Sequence, residues 1–367
     1  MGARRHLRRG RGALVPLMLL GLSLWLVGGS PETPRSLLYF TTASSGTESV
    51  LFRAPLAGAK DSALPDVLDR EPLWSSQHAA GFQPRGTLSE RGTAAWVTLP
   101  AGRGVGDPAW LHVSDTSFAG ISPLLIDREA LYLQRLVFDG ERLLYLRGQP
   151  SGDTPSPGAT QVEWVFSLLS WEPGDSEPQE IYRSQCLWVM LVGLVPPASG
   201  TSQSLAPAHP ILLEIHPTEP RLLELDPSGA VIQTWTPGRG LLVRDLAIDP
   251  GAGRSVVFLA TAPGPDASSL LRLDLDTGTV DEVLGGLAPH ASPRMLPGGQ
   301  GVVVAGPEPG GDGLRFPEHV LSDGSVIYRA QGSAGLSWLY SDTTDLELRL
   351  VPEGDPAQDV SFLGVLQ

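Results

Sequence analysis

Short apolar runs, each the length of one strand, recur from end to end of this chain between turn residues, and no window after residue 30 keeps a helical period. Examples are "ESVLFRAPL", "AAWVTL", "RLLYLRG", "VEWVFSLLSW", "ILLEIH", "RLLELD", "SVVFLATA" and "SLLRLDLD", bounded by Gly, Pro, Asp and Ser. That pattern is the signature of an all-β protein. The Pro/Gly/Ser-rich stretches 149–160, 196–210 and 306–313 read as surface loops.

The runs share a frame. In "VRDLAIDPGAGRSVVFLATAPGPDASSLLRLDLDTGTVDEVL" a strand ends in Asp and turn residues, then come an apolar strand, a polar loop, a second strand, a tight turn and a last strand. "PEHVLSDGS–VIYRAQG–LSWLYSD–LELRLV" repeats that order, as does "LQRLVFDGERLLYLRG" continued to "VEWVFSLLSWEPGDSEPQEIYR". "HPILLEIHPTEPRLLELDPSGAVIQTW" supplies the last three strands of another unit.

Four antiparallel strands per unit, at a period of about 45 residues, are what propeller blades look like in sequence. The units resemble those of TolB-like, WD40-like β-propellers, whose repeats carry a strand, an S-P-D-G-type turn and an apolar strand. "LSDGSVIY" and "VFDGERLLY" match that turn, while "AIDPGAGRSVVF" and "LPGGQGVVV" are degenerate. The resemblance covers most of residues 36–367 and implies a β-propeller domain over 31–367. Turns near Gly92, Gly140, His209, Gly251 and Gly324, with the N-terminal unit, point to six blades; the extra turn at Gly298 makes seven the alternative. The first unit lacks an innermost strand and the chain ends in a lone one, "DVSFLGVL". The C-terminal strand is therefore expected to complete the N-terminal blade and close the ring.

Residues 1–30 stand apart. "ARRHLRRGRG" precedes the apolar run Ala13–Gly29, the layout of a signal peptide or, uncleaved, of an N-terminal membrane anchor. Either way the domain is expected outside the cytoplasm, in the periplasm, at the cell surface or secreted. Without the five Arg of this segment, the remaining 21 basic residues face 40 acidic ones, a net charge of −19. Such a surface repels nucleic acid and anionic lipid, so contact with a membrane is expected only through residues 13–29. One Cys precludes an intrachain disulfide, and stability must come from the core.

Catalytic signatures are mostly missing: there is no G-x-S-x-G, no phosphate-binding loop around Lys60, and no H-x-H or H-E-x-x-H pair. No cofactor or metal is expected, and no catalytic residue is assigned. "DLDTGTVDE", Asp274–Glu282, reads as a two-residue hairpin turn rather than a calcium loop. Cys186 reads as a small core residue, and Trp96, Trp110, Trp164, Trp188 and Trp338 as packing between blades.

One spacing is sharper. Four residues before successive turns lie Arg85, Arg135, Arg294 and His319, with Arg244 one residue off register. On innermost strands these side chains would border the central channel and attract a carboxylate or phosphate. The alternative is a polar rim, with the Arg residues paired to acids such as Asp245, Asp139 and Glu318. Three functions are compatible with these features. The first is an exported, non-enzymatic propeller that binds a protein, peptide or envelope component through its loops. The second is an enzyme or small-molecule binder acting on an anionic ligand in the channel. The third is a structural module of a larger envelope machine.

Overall fold

The computed structural model describes residues 36–42, 47–55, 71–79, 82, 84–89, 91–104, 107–115, 123–131, 134–150, 164–198, 207–217, 219–237, 242–248, 254–261, 268–287, 292–295, 302–305, 326–331, 336–341, 347–349 and 359–366, with backbone only from 283 on. Residues 1–30, expected to be a signal peptide or anchor, most of the three long loops and His319 lie outside the described residues.

All described regular structure is β. The strands are β1 (Ser36–Thr42), β2 (Glu48–Pro55), β3 (Glu71–Gln77), β4 (Arg85–Leu88), β5 (Thr93–Thr98), β6 (Ala109–Asp115), β7 (Leu124–Ala130), β8 (Val137–Asp139), β9 (Arg142–Pro150), β10 (Trp164–Trp171), β11 (Gln179–Cys186) and β12 (Trp188–Val195). They continue as β13 (His209–Ile215), β14 (Pro220–Leu225), β15 (Val231–Trp235), β16 (Leu242–Ile248), β17 (Ser255–Thr261), β18 (Ser268–Asp274), β19 (Val280–Leu287), β20 (Ser292–Met295), β21 (Val302–Ala305), β22 (Val326–Gln331), β23 (Leu336–Ser341), β24 (Glu347–Arg349) and β25 (Asp359–Leu366).

Most strands fall into antiparallel groups of four: β4–β7, β8–β11, β12–β15 and β16–β19. A single bridge, Ala130 opposite Arg147, joins the second and third groups into one continuous sheet. As the sequence implied, the first group is completed from the other end of the chain: β25 runs antiparallel to β1, from Ser36 opposite Leu366 to Thr42 opposite Asp359. The missing first strand of the "HPILLEIH" unit is β12, the apolar "WVMLVGLV". The first strands of the groups adjoin one another in the order β25, β4, β8, β12, β16, β20. The two-stranded β20–β21 and three-stranded β22–β24 sheets flank residues 306–325, which lie outside the described residues and on which the count of six or seven blades turns.

The core lies between sheets. In the second strand of each group, alternate residues face opposite neighbours: Ala94 and Trp96 of β5 pack with Phe40 and Leu51, while Ala95 and Val97 pack with Leu143 and Tyr145 of β9. Leu144 and Leu146 then meet Leu212 of β13, and Ile211 and Leu213 meet Val256 and Phe258 of β17. Both faces of such a strand are buried, which is why its sequence is a continuous apolar run rather than an alternation. Each fully buried large side chain is worth about 1.5–3 kcal/mol in transfer from water. The outermost strands are wetter, as the exposed first four residues of β15 show.

Candidate functional site: inner strands and blade interfaces

The backbone sets four of the five expected ring residues at or beside innermost strands, and the fifth, His319, lies outside the described residues. Arg85 opens β4 and is exposed. Arg244 is the extra residue of a bulge in β16, between Val243 opposite Ala260 and Asp245 opposite Leu259. Arg294 lies in β20 opposite Val303. The described innermost strand β12 carries no basic residue at all.

Arg135, just ahead of β8, shows what one member does. Its guanidinium donates to the carbonyl of Val192, at 2.9 Å, and to that of Leu246. Val192 is itself the extra residue of a bulge in β12, between Leu191 and Gly193. A bulge leaves its extra residue outside the ladder, and an innermost strand has one edge without a partner. Arg135 satisfies both acceptors and ties β8 to β12 and β16. The sequence had suggested Asp139 as the neighbour of such an Arg; Asp139 Oδ1 instead faces the Ala208 N–H at 3.5 Å.

The remaining polar chemistry sits between blades. Between the first two, Ser49 and His78 are 0% and 2% exposed, and Ser49 Oγ lies 2.7 Å from His78 Nε2. His78 Nδ1 lies 2.9 Å from the Ala79 carbonyl, which can only accept, so Nδ1 carries the proton and Nε2 accepts from Ser49. The pair resembles a nucleophile and its base, yet both groups are sealed in the core and no acid orients the ring. Nearby, the His112 ring stacks on Trp96 at 5.8 Å and lies 2.9 Å from Thr98 Oγ1. Burial pushes its pKa down to about 4.

At the next interface Asp127, 5% exposed, accepts from Tyr145 Oη at 2.6 Å and from Arg147 at 2.8 Å. Burial, then the Asp127 charge, raise the Tyr145 pKa. Glu141, in the turn before β9, reaches back to Ser89 and Thr93 at 2.9 and 2.6 Å. Farther on, Glu214 of β13 accepts from Tyr182 Oη at 2.8 Å and His216 Nε2 at 2.9 Å. Burial alone would raise its pKa, but the hydrogen bonds from Ser184, His216 and Tyr182 outweigh it and hold the carboxyl below its ordinary value.

Between β12–β15 and β16–β19, Glu224 uses both oxygens: one lies 2.6 Å from His209 Nδ1 in a hydrogen bond, and the other 2.7 Å from Arg254 in an ion pair. Arg254 also meets Asp276 at 2.7 Å and the carbonyl of Pro196. Burial disfavours the Arg254 charge, and the bonds to Glu224 and Asp276 more than restore it. Neither Glu214 nor Glu224 was singled out in the sequence. The available signal was an acid inside a run buried on both faces, as in "ILLEIH" and "RLLELD".

Cys186 is buried, as expected; burial raises its thiol pKa, and its Sγ–H donates to the Trp188 carbonyl at 3.2 Å. Trp164 and Trp188 pack around Phe166, with ring centroids at 6.3 and 5.7 Å. The Asp274 turn is longer than the expected two-residue hairpin: Asp274 Oδ1 accepts the N–H groups of Asp276 and Thr277, and Gly278 takes φ +71° before β19 begins. Among the described residues no cluster of three or more His, Cys, Asp or Glu side chains could hold a metal ion.

No protein-family model matches the chain, and no curated protein does. Solved structures do. TolB from Acinetobacter baumannii is similar at a TM-score of 0.51 and 13% identity, over 95% of this chain and 71% of that one. Puromycin hydrolase gives 0.49 at 14% identity, and the chain, matched over 89% of its length, spans only 55% of that enzyme. The β-propeller domain of the Trilobed protease from Pyrococcus furiosus gives 0.47 at 11% identity, over 89% and 81%. At such identities a likeness speaks to fold and not to activity. With four-stranded antiparallel groups packed face to face and first strands adjoining in order, the TolB likeness identifies the chain as a β-propeller.

Proposed function

We propose that this protein is an exported, non-enzymatic β-propeller that binds a protein, peptide or envelope component through its loop faces. One observation carries the reading: the acid, base and thiol groups that could do chemistry in the described blades are turned into blade interfaces, where Ser49, His78, Asp127, Glu214 and Glu224 are each at most 5% exposed. Groups placed there hold blades together and meet no substrate. Function then falls to the long connections 149–160 and 196–210, as it commonly does when a rigid scaffold presents loops. The Arg-rich start and the apolar run 13–29 support export, and the chain is proposed to act in the periplasm, at the cell surface or beyond it.

A second reading, an anionic ligand held in the channel by Arg85, Arg135, Arg244, Arg294 and His319, is favoured by one feature. Gln134, beside Arg135, is 2% exposed, and neither Oε1 nor Nε2 of its amide has a protein partner. Native extraction followed by cross-linking and native mass spectrometry separates the two. A stoichiometric protein partner supports the first reading. A small anion retained by the isolated chain, and lost when Arg85 is replaced by Gln, supports the second.

A further inference from the structure

Edge strands that stay soluble carry charges, Pro or irregularities against unwanted pairing. Charged residues stand in the outermost described strands with two exceptions, the four-residue β21, "VVVA", and β15. β3 has Glu71 and Pro72, β7 has Asp127, Arg128 and Glu129, β11 has Glu180 and Arg183, β19 has Asp281 and Glu282, and β24 has Glu347 and Arg349. β15, "VIQTW", has no charge, and among the described residues the edge away from β14 has no neighbour in its sheet.

Its first four residues are exposed, with Val231 at 47% and Ile232 at 48%. Ile232 is the extra residue of a bulge against Glu224 and Leu225, which turns two consecutive apolar side chains outward and leaves Gln233–Trp235 in regular register. A third exposed apolar residue, Val280 at 40%, starts β19 two positions after Gly278, which lies against Trp235. Two of the four large exposed apolar side chains among the described residues thus lie on this one uncharged strand.

Its surroundings are acidic. Gly229, at the turn into β15, abuts Ile181 of β11, whose flank exposes Glu177 and Glu180; Arg183 there lies 3.9 Å from Glu180. On the other side β19 exposes Asp281 and Glu282. A second copy of a chain of net charge −14 would bring like charges together along this edge. An extended segment with a basic residue at each end would not.

We propose that the free edge of β15 receives an extended peptide segment of a partner protein, which pairs as an added strand. Its centre is β-branched or apolar, to cover Val231 and Ile232, and it is bracketed by Lys or Arg that meet the flanking acids. The proposal concerns β15 and not the loops 149–160 and 196–210, so a partner whose binding is unmoved by a change in β15 leaves the loop reading standing, and the two proposals fail independently.

The test uses the whole chain and a labelled synthetic peptide of alternating valine and threonine between paired lysines, followed by fluorescence anisotropy, with sedimentation of the unliganded chain alongside. Binding should saturate. It should weaken at least about tenfold in Ile232→Lys and Thr234→Lys, and with glutamates in place of the lysines. Both side chains are exposed, so melting temperatures should match the parent's. The proposal is overturned if binding does not saturate, or if both variants bind as the parent does. It is equally overturned if a lysine-flanked glycine-serine peptide binds as well, or if the chain sediments as a dimer that Ile232→Lys dissociates.

Discussion

Replacing Arg254 with Met should cost the protein about 3 kcal/mol of stability, far more than a surface ion pair is worth. The Arg254 and Glu224 side chains are 6% and 2% exposed and 2.7 Å apart. At that separation two unit charges attract by roughly 6 kcal/mol at an effective dielectric of about 20, most of which offsets the water each group has lost. The variant removes the attraction and leaves Glu224 desolvated, a situation that costs about 3–5 kcal/mol. His209, 2.6 Å from the other Glu224 oxygen, keeps one bond in place, which sets the expectation at the low end. Asp276, at 46% exposure, adds less than about 1 kcal/mol.

Against a total stability of about 5–15 kcal/mol, that loss is large. At about 2 °C per kcal/mol, the low end suited to a long chain, it corresponds to a melting temperature lower by about 6 °C. The double variant Arg254→Met with Glu224→Leu removes both charges together and should return to within about 1 kcal/mol of the parent. Urea unfolding followed by tryptophan fluorescence gives all the corners of this cycle. A loss below about 1 kcal/mol in Arg254→Met, or a double variant as unstable as the single one, would show that this cluster does not hold the blades together.

Further outcomes are expected elsewhere. Because the folded His112 pKa of about 4 lies below the ordinary 6.5, the unfolded chain takes up a proton that the folded one refuses. Stability should be full above about pH 6.5 and fall towards pH 4, by about 1–2 kcal/mol after allowance for partial exposure. His112→Phe should flatten that part of the profile, and an NMR titration of the ring near pH 6.5 in the native protein would contradict the argument. Gly229 has φ +92°, and a Cβ there would lie 1.8 Å from the Ile181 carbonyl oxygen, so Gly229→Ala must move backbone; about 3 kcal/mol or more is expected. Gly278, at φ +71° with only Trp235 at 3.7 Å, should cost about 1 kcal/mol on the same change, and equal urea midpoints for the two variants would refute the distinction. Deleting residues 357–367 removes β25 from the edge of β1, and should lower the melting temperature markedly; an unchanged melt would show that this pairing adds nothing.

What could be read in advance followed burial. The second strands β5, β9, β13 and β17 announce themselves because neighbouring sheets cover both their faces, and only apolar side chains fit throughout. β4 "RGTL" and β3 "EPLWSSQ" give almost no signal: they are short or half-wet, and their neighbours in the sheet hold them as strands. The charged residues divide in the same way. The recurrence of Arg ahead of successive turns was visible as spacing, but the partners of Arg135 were not, since a bulged carbonyl at Val192 belongs to no residue type.

Glu214 and Glu224 were hidden for a related reason, and they yield a usable rule. Each sits in an otherwise apolar strand, where it cannot remain charged without a partner in the fold. The strand names one half of the pair, and the other half comes from a different strand: Tyr182 of β11 for Glu214, and Arg254, at the foot of β17, for Glu224. Among sheets packed face to face, a lone acid inside an apolar run therefore points to the junction between two blades before it points to a substrate. For this chain that moves the search for function outward, from the buried carboxylates to the loops and to the uncharged edge of β15.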